Sequence, residues 1–117
     1  MGINANNIKN ETWKKIDGFH YEVSNEGRIR NINGEIKALQ LNKSKKAEYY
    51  RIALYEGGQR TKFYVHRLVG QYFVDGYNES LMINHKDGDP LNNRADNLEW
   101  VTQSDNVKHW HRELKAK

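Results

Sequence analysis

Turn-forming residues set the scale on which this chain can fold. Asn25-Glu26-Gly27, Asn33-Gly34 and Gly57-Gly58 each interrupt a β-compatible run, so the first half must be assembled from short strands and hairpins. The pattern predicts strands over 20–24, 28–32 and 35–39, then a basic tract, then a hairpin of 49–56 and 60–65 turning at Gly57-Gly58. In the last of these runs Thr61, Phe63 and Val65 point one way and Lys62 and Tyr64 the other, the period of a half-buried strand.

The period changes at Val65. Val65, Leu68, Val69, Tyr72 and Phe73 fall at i, i+3, i+4, i+7 and i+8, which predicts a short amphipathic helix over 66–73. "LMINH" then reads as a strand that delivers His85 at its end, followed by a polar loop and a second short strand in "NLEWVT". Thr102 with Asp105 makes a capping-box pattern, so a further helix is expected from about 103 to 114.

A chain of 117 residues has room for one domain. We expect it to be divided into a flexible stretch over 1–10, a β-rich lobe over 11–60 and a second lobe over 61–117. Hydrophobic residues make up only 37%, but three Trp, seven Tyr and three Phe provide large faces that a disordered chain would lack. The formal charge of +4 suits a polyanionic partner and also fits many ordinary soluble proteins. Cysteine is absent, which excludes disulfides and thiolate zinc sites and leaves oxygen and imidazole as the only metal ligands. No run approaches the roughly eighteen apolar residues of a membrane helix, so the protein is read as soluble, unexported and cytoplasmic, without a membrane partner.

The stretch "INHKDGDPLNN" carries the chemistry. Asp, Gly, Pro and Asn are what turns require, and Asn92 and Asn93 are read as shaping the loop. Asp87 and Asp89 around Gly88 suggest a calcium loop, but the remaining EF-hand ligand positions are missing and turn formation accounts for them. The order strand, loop, strand, helix would bring His85 beside Asn106, one turn into the expected helix, if the hairpin packs on that helix. His66 opens the amphipathic helix with no evident partner and is read as a structural contact to the site, and Trp100 and Trp110 are read as core residues.

The segment "VHRLVGQYFVDGYNESLMINHKDGDPLNNRADNLEWVTQSDNVKH" resembles the HNH endonucleases, in particular the phage and intron-encoded homing enzymes built on a ββα-metal motif. The upstream "ETWKKIDGFHYEVSNEGRIRN" is similar to a small strand-rich module often placed before such nucleases. The resemblance implies an α+β fold: an N-terminal β-rich hairpin lobe followed by a ββα-metal (His-Me finger) HNH nuclease lobe. It also implies metal-dependent hydrolysis of DNA phosphodiester bonds, with one set of catalytic groups nicking one strand per site. Cutting both strands would need a homodimer, a protein partner or two sequential events.

Within that resemblance His85 corresponds to the general base, an imidazole that can accept the proton of the attacking water. Asn97 corresponds to the asparagine that holds the His85 loop or ring, and Asn84 and Asn106 to the metal ligands. Position 84 is Asp in some members and Asn in others; a neutral carboxamide binds a hard cation less strongly, so phosphate oxygens of the DNA would complete the site. Oxygen ligands favour Mg²⁺, with Mn²⁺ as the substitute. His109, close to Asn106 on the expected helix, reads as an extra ligand or phosphate contact, with an exposed helix histidine as the plain alternative. Lys43, Lys45, Lys46, Arg51, Arg60, Lys62 and Arg67 would follow the backbone of double-stranded DNA if presented on one face, and are otherwise a solvated charged surface. Arg28 and Arg30, on an expected strand, are further candidates for reaching a groove. The rival from another class is a non-catalytic DNA-binding module that keeps the fold, with Asn84 as the feature behind it; a protein-interaction component would not retain DNA at low salt.

Overall fold

In the computed structural model, which describes residues 10–43 and 47–102, the chain reverses at the expected turns. Strands β1 (Trp13–Lys15), β2 (Tyr21–Ser24) and β3 (Ile29–Asn31) form an antiparallel sheet in that order, and the Asn25–Gly27 turn joins the last two. A second antiparallel sheet holds β4 (Gln40–Lys43), β5 (Glu48–Glu56) and β6 (Gln59–Tyr64). Glu56 pairs with Gln59 across Gly57 and Gly58, whose φ angles of 59° and 79° give the two left-handed positions of a type I′ hairpin turn.

Two strands escape the sequence pattern, and one expected strand fails to form. β1 contains two lysines in three residues and shows no alternation; its pairing to β2 alone makes it a strand. β4 falls at the end of what reads as polar and basic sequence. The strand expected over 35–39 is reduced to a single bridge between Arg30 and Ile36. Asn31 explains the loss: its Oδ1 accepts the N–H groups of Asn33 and Glu35 at 2.9 and 3.0 Å, so a side chain takes over hydrogen bonds that a ladder would need.

The helix follows directly. α1 (Val65–Phe73) buries Val65, Leu68 and Val69, the stripe that the 3.6-residue period predicts, and Tyr72 and Phe73 pack against the same core. β7 (Met82–His85) and β8 (Leu98–Val101) then pair antiparallel as a two-stranded sheet, and a 3₁₀ turn over Ala95–Asn97 leads into β8. The expected helix over 103–114, with Asn106, His109 and Trp110, lies outside the described residues. The boundary expected between residues 60 and 61 falls inside β6. Among the described residues no helix is long and apolar enough to cross a membrane.

One core runs through all three sheets: Val23 and Ile29 from the first, Ile52 and Leu54 from the second, Ile83 and Leu98 from the third, with α1 between them. The first sheet is tied to the C-terminal end of α1 by the Lys14 ammonium, which donates to the Tyr72 carbonyl at 2.7 Å and lies 4.9 Å from the Phe73 ring centre. A cation there meets the negative end of the helix dipole. The Asp17 N–H donates to the Tyr72 hydroxyl at 2.8 Å.

Gly70 sets how closely α1 approaches the last sheet. A Cβ at this position would lie 2.5 Å from Ile83 Cδ1 and 2.9 Å from Trp100 Cζ2, while Trp100 Nε1 donates to the Gly70 carbonyl at 3.1 Å. Ile83 Cδ1 can swing away; the anchored indole cannot. Gly70→Ala is therefore expected to destabilise the protein by about 1–3 kcal/mol through overpacking, read from urea denaturation midpoints at constant slope.

Candidate active site and nucleic-acid interface

β7 ends at His85, and the loop that follows is organised by its own side chains. The Gly88 N–H donates to the His85 carbonyl, the Asp89 N–H to Asp87 Oδ1 at 2.8 Å, and the Leu91 N–H to Asp89 Oδ1 at 3.0 Å. Asp87 and Asp89 thus act as turn formers. Burial alone would raise the Asp87 carboxyl, but hydrogen bonds from Asn92, Asp89 and Asn97 and the nearby His85 outweigh it and hold it below the usual carboxylate range.

Asn97 closes this loop. It is only 8% exposed; its Oδ1 accepts the Asp87 N–H at 3.0 Å, and its Nδ2 donates to Asp87 Oδ1 at 3.0 Å and to the Asn92 carbonyl at 2.9 Å. Its carbonyl also accepts the Lys86 N–H at 2.8 Å, so one residue grips both ends of the excursion between β7 and β8.

His85 is 8% exposed, with its Nε2 2.9 Å from Asn93 Oδ1. A carboxamide oxygen accepts, so Nε2 carries the proton and the neutral ring keeps its lone pair on Nδ1, which no described residue engages. Burial pushes the His85 pKa below the ordinary histidine value, against the opposing pull of Asn93, Asp87 and Asp89. Asn93 was not distinguishable from Asn92 as paired loop asparagines in the sequence; the register of the loop decides which of them meets the imidazole.

Asn84, 4% exposed, pairs with Glu99 across the sheet, while His85 pairs with Leu98, so the two adjacent residues leave opposite faces of the hairpin. The Asn84 carboxamide makes no hydrogen bond to any described residue, leaving a hard oxygen donor uncommitted. That donor chemistry fits a hard divalent cation.

A ring cluster surrounds the imidazole. His66 lies 5.4 Å from His85 between ring centres, Tyr49 lies 5.1 Å from His66 and 6.3 Å from His85, and Tyr64 lies 5.4 Å from His66. Among the described residues three buried side-chain atoms in this region have no hydrogen-bond partner: His66 Nδ1, Asn93 Nδ2 and Arg51 Nε. A buried polar atom left unpaired costs about 1–3 kcal/mol, which a water or a polar ligand reaching it would offset.

The sheet registers show where the basic residues stand. Arg51 pairs with Tyr64, Ala53 with Lys62 and Tyr55 with Arg60, so Arg51, Lys62 and Arg60 share one face with Tyr49, Tyr55 and Tyr64, opposite the face that buries Ile52 and Leu54. This outward face is continuous with the ring cluster at His66. Lys43 does not join them as expected: it pairs with Glu48 and so stands on the opposite face, in the parity of Ile52 and Leu54. Arg67 lies 5.2 Å from the Trp100 ring centre and donates to the Leu81 carbonyl, while Lys45 and Lys46 lie outside the described residues. Arg28 and Arg30 are engaged inside the first sheet: Arg28 with Glu11 and Arg30 with Glu22, the latter also 4.1 Å from the Trp13 ring centre.

Residues 63–108 match the HNH endonuclease family model, and residues 11–55 match the NUMOD4 motif. The chain carries an HNH endonuclease domain behind a NUMOD4 motif. It is 46% identical over 100 residues to the DNA endonuclease I-HmuI of Bacillus phage SP01, a match covering 83% of this chain and 56% of that protein. It is 39% identical over 99 residues to the uncharacterized HNH endonuclease L245 of Acanthamoeba polyphaga mimivirus, covering 83% and 29%. A solved structure of the HNH homing endonuclease I-HmuI, described for DNA binding and cleavage, superposes with a TM-score of 0.76 at 43% identity, covering 87% of this chain and 59% of that one. The chain thus spans a little over half the length of I-HmuI. The strand-rich NUMOD4 motif contains the first sheet, β4 and most of β5; the HNH domain begins at Phe63 and contains α1, β7 and β8.

His66 adds a pH test. Its pKa is pushed down to about 3, first by burial and then by His85 and Arg67. The folded ring stays neutral where the unfolded ring, near 6.5, would charge, so its contribution is complete above pH 6.5 and is lost as pH falls from there toward 3. His66→Phe, which keeps a ring and removes the orphaned nitrogen, is expected to match or exceed the parent's stability at pH 7 and to lose less stability between pH 7 and pH 5, measured by urea denaturation at both.

Proposed function

We propose that this chain is a metal-dependent DNA endonuclease that hydrolyses phosphodiester bonds and nicks one strand of double-stranded DNA per event. The observation that carries the reading is His85: a buried, neutral imidazole held through Nε2, with Nδ1 left unengaged at the end of β7. The similarity to I-HmuI, a DNA endonuclease, supports the same reaction class.

In this reading His85 Nδ1 takes the proton from a water as its oxygen attacks phosphorus, and Asn97 keeps the loop closed so that the ring holds its orientation. Asn84 and Asn106 would hold the divalent ion, Mg²⁺ or in its place Mn²⁺, with DNA phosphate oxygens completing the shell. When bound, such an ion supplies Lewis-acid polarisation of the phosphate and neutralises charge on the departing 3′ oxygen. His109 would add a ligand or a phosphate contact. The face bearing Arg51, Arg60 and Lys62 would track the backbone and orient the duplex without reading its sequence, with Lys45 and Lys46 as further phosphate contacts; Lys43, on the opposite face of the sheet, and Arg67, held against Trp100, would stand outside that track. A homodimer or a protein partner would be required for simultaneous cuts in both strands, and the setting would be the cytoplasm of a bacterial host.

A second reading, a DNA-binding module without useful metal affinity, rests on Asn84, whose carboxamide is a weaker ligand than a carboxylate. Incubation with supercoiled plasmid separates the two. Conversion to the relaxed form is expected with Mg²⁺ or Mn²⁺ and not with chelator; retention of DNA without nicking in every metal condition would establish the second reading. His85→Ala is expected to abolish cleavage, with a loss of about 10²–10⁴-fold for removing a general base, while Asn84→Asp is expected to preserve or raise the rate. Parental activity in the His85→Ala variant would remove the imidazole from the mechanism.

A further inference from the structure

The NUMOD4 motif meets the loop after β7 at the Ser24–Gly27 turn, and the contact leads to the His85 ring. Ser24, fully buried, fixes that turn: its hydroxyl accepts the N–H groups of Glu26 and Arg28, each at 3.1 Å, and its carbonyl accepts the Gly27 N–H at 3.1 Å. Asn25 is fastened to the start of the first sheet, where its Oδ1 accepts the Thr12 N–H at 2.9 Å and its own N–H donates to the Thr12 carbonyl at 3.1 Å. From this rigid platform the Asn25 carbonyl accepts the Ala95 N–H at 2.8 Å.

Two residues before Ala95 stands Asn93, seated directly on Gly27. A Cβ on Gly27 would lie 3.0 Å from Asn93 Cβ and 3.1 Å from its carbonyl oxygen, and Gly27 adopts φ +85°, which side-chain-bearing residues rarely adopt. Asn93, 5% exposed, then presents Oδ1 to His85 Nε2 at 2.9 Å. The 3.5 Å contact of Arg94 with Glu26 runs alongside, but the guanidinium is more than half exposed and adds little.

We infer that the Ser24–Gly27 turn of the N-terminal motif is a positioning element of the nuclease site: it sets the place of Asn93, and Asn93 sets the orientation of the His85 ring. The inference rests on the reading of His85 as the general base. Its consequence is that the strand-rich motif contributes to the rate of the chemical step, separately from any grip on DNA. Asn93, Asn25 and Gly27 are positioning residues; none of them touches the reacting atoms in this scheme.

The molecule supplies its own control. Gly34, in the neighbouring turn of the same motif, has φ +88° and open space where a Cβ would go. Gly27→Ala and Gly34→Ala therefore impose the same backbone strain, and only the first disturbs Asn93. Single-turnover cleavage of a plasmid at saturating concentration of the full chain in Mg²⁺, with DNA affinity measured separately by gel retardation, reads the difference. Gly27→Ala is expected to lower the rate by about tenfold with unchanged affinity, the scale on which small misplacements act, and Gly34→Ala to stay within about twofold of the parent. Asn93→Leu is expected to lose rate in the same way, and Asn93→Asp, which restores an acceptor for Nε2–H, to recover most of it. Equal rates for the two glycine variants, a Gly27→Ala effect confined to affinity, or a full rate for Asn93→Leu would each overturn the inference. Should Gly27→Ala fail to fold, the Asn93→Leu and Asn93→Asp pair decides. His85→Ala in the same series keeps the two levels apart: activity there sinks the reading of the base, whereas an inactive His85→Ala beside matching glycine variants sinks only the positioning role.

Discussion

Everything in this molecule hangs on the buried stripe of α1. Among the described residues the sheets have two or three strands each, and sheets that small need an apolar face covered by a helix or another sheet to be stable in water. Val65, Leu68 and Val69 provide the apolar surface on which they converge: α1 contacts β2 from the first sheet, β5 and β6 from the second, β7 and β8 from the third, and the 3₁₀ turn. Gly70 completes the arrangement by removing a side chain where Ile83 and Trp100 press closest. Without that nine-residue helix the three sheets would have no shared interior.

The polar site is a consequence of that packing. His85 and Asn93 are buried because β7 and the loop after it are drawn against the core, and burial both keeps the imidazole neutral and obliges it to find a partner for Nε2. Asn97 meets the corresponding need of the loop, where a carboxamide with two donors and an acceptor satisfies a backbone N–H, a carboxylate and a carbonyl at once. Among the described residues the buried side-chain atoms left without a hydrogen-bond partner, on His66, Asn93 and Arg51, lie in the neighbourhood where the proposed chemistry would occur. The outward face of the second sheet, with Arg51, Lys62 and Arg60 alternating against the buried Ile52 and Leu54, reaches the same place from the side.

Much of this was legible in one dimension, for identifiable reasons. The Gly57-Gly58 hairpin, α1 and the β7–β8 pair are dictated by local rules: positive φ at a tight turn, a 3.6-residue stripe, and short apolar strands around a loop of turn formers. β1 and β4 were not legible, because Trp13–Lys15 and Gln40–Lys43 contain no pattern of their own and become strands only through the ladders offered by β2 and β5. The strand expected over 35–39 failed for the converse reason: Asn31 satisfies the local backbone with its side chain, which periodicity does not register.

The sequence by itself determined the chemistry on offer: no thiolate, a histidine at the end of a strand, carboxamides around it, and the turn and helix signals that carry them, since residue type and local conformation depend on near neighbours alone. Only the tertiary structure decided which asparagine meets the imidazole, that Arg28 and Arg30 are engaged within the first sheet, and that the turn at Gly27 abuts the loop at Asn93. Those outcomes depend on contacts between residues far apart along the chain, and such contacts come into being only when the common core around α1 has closed.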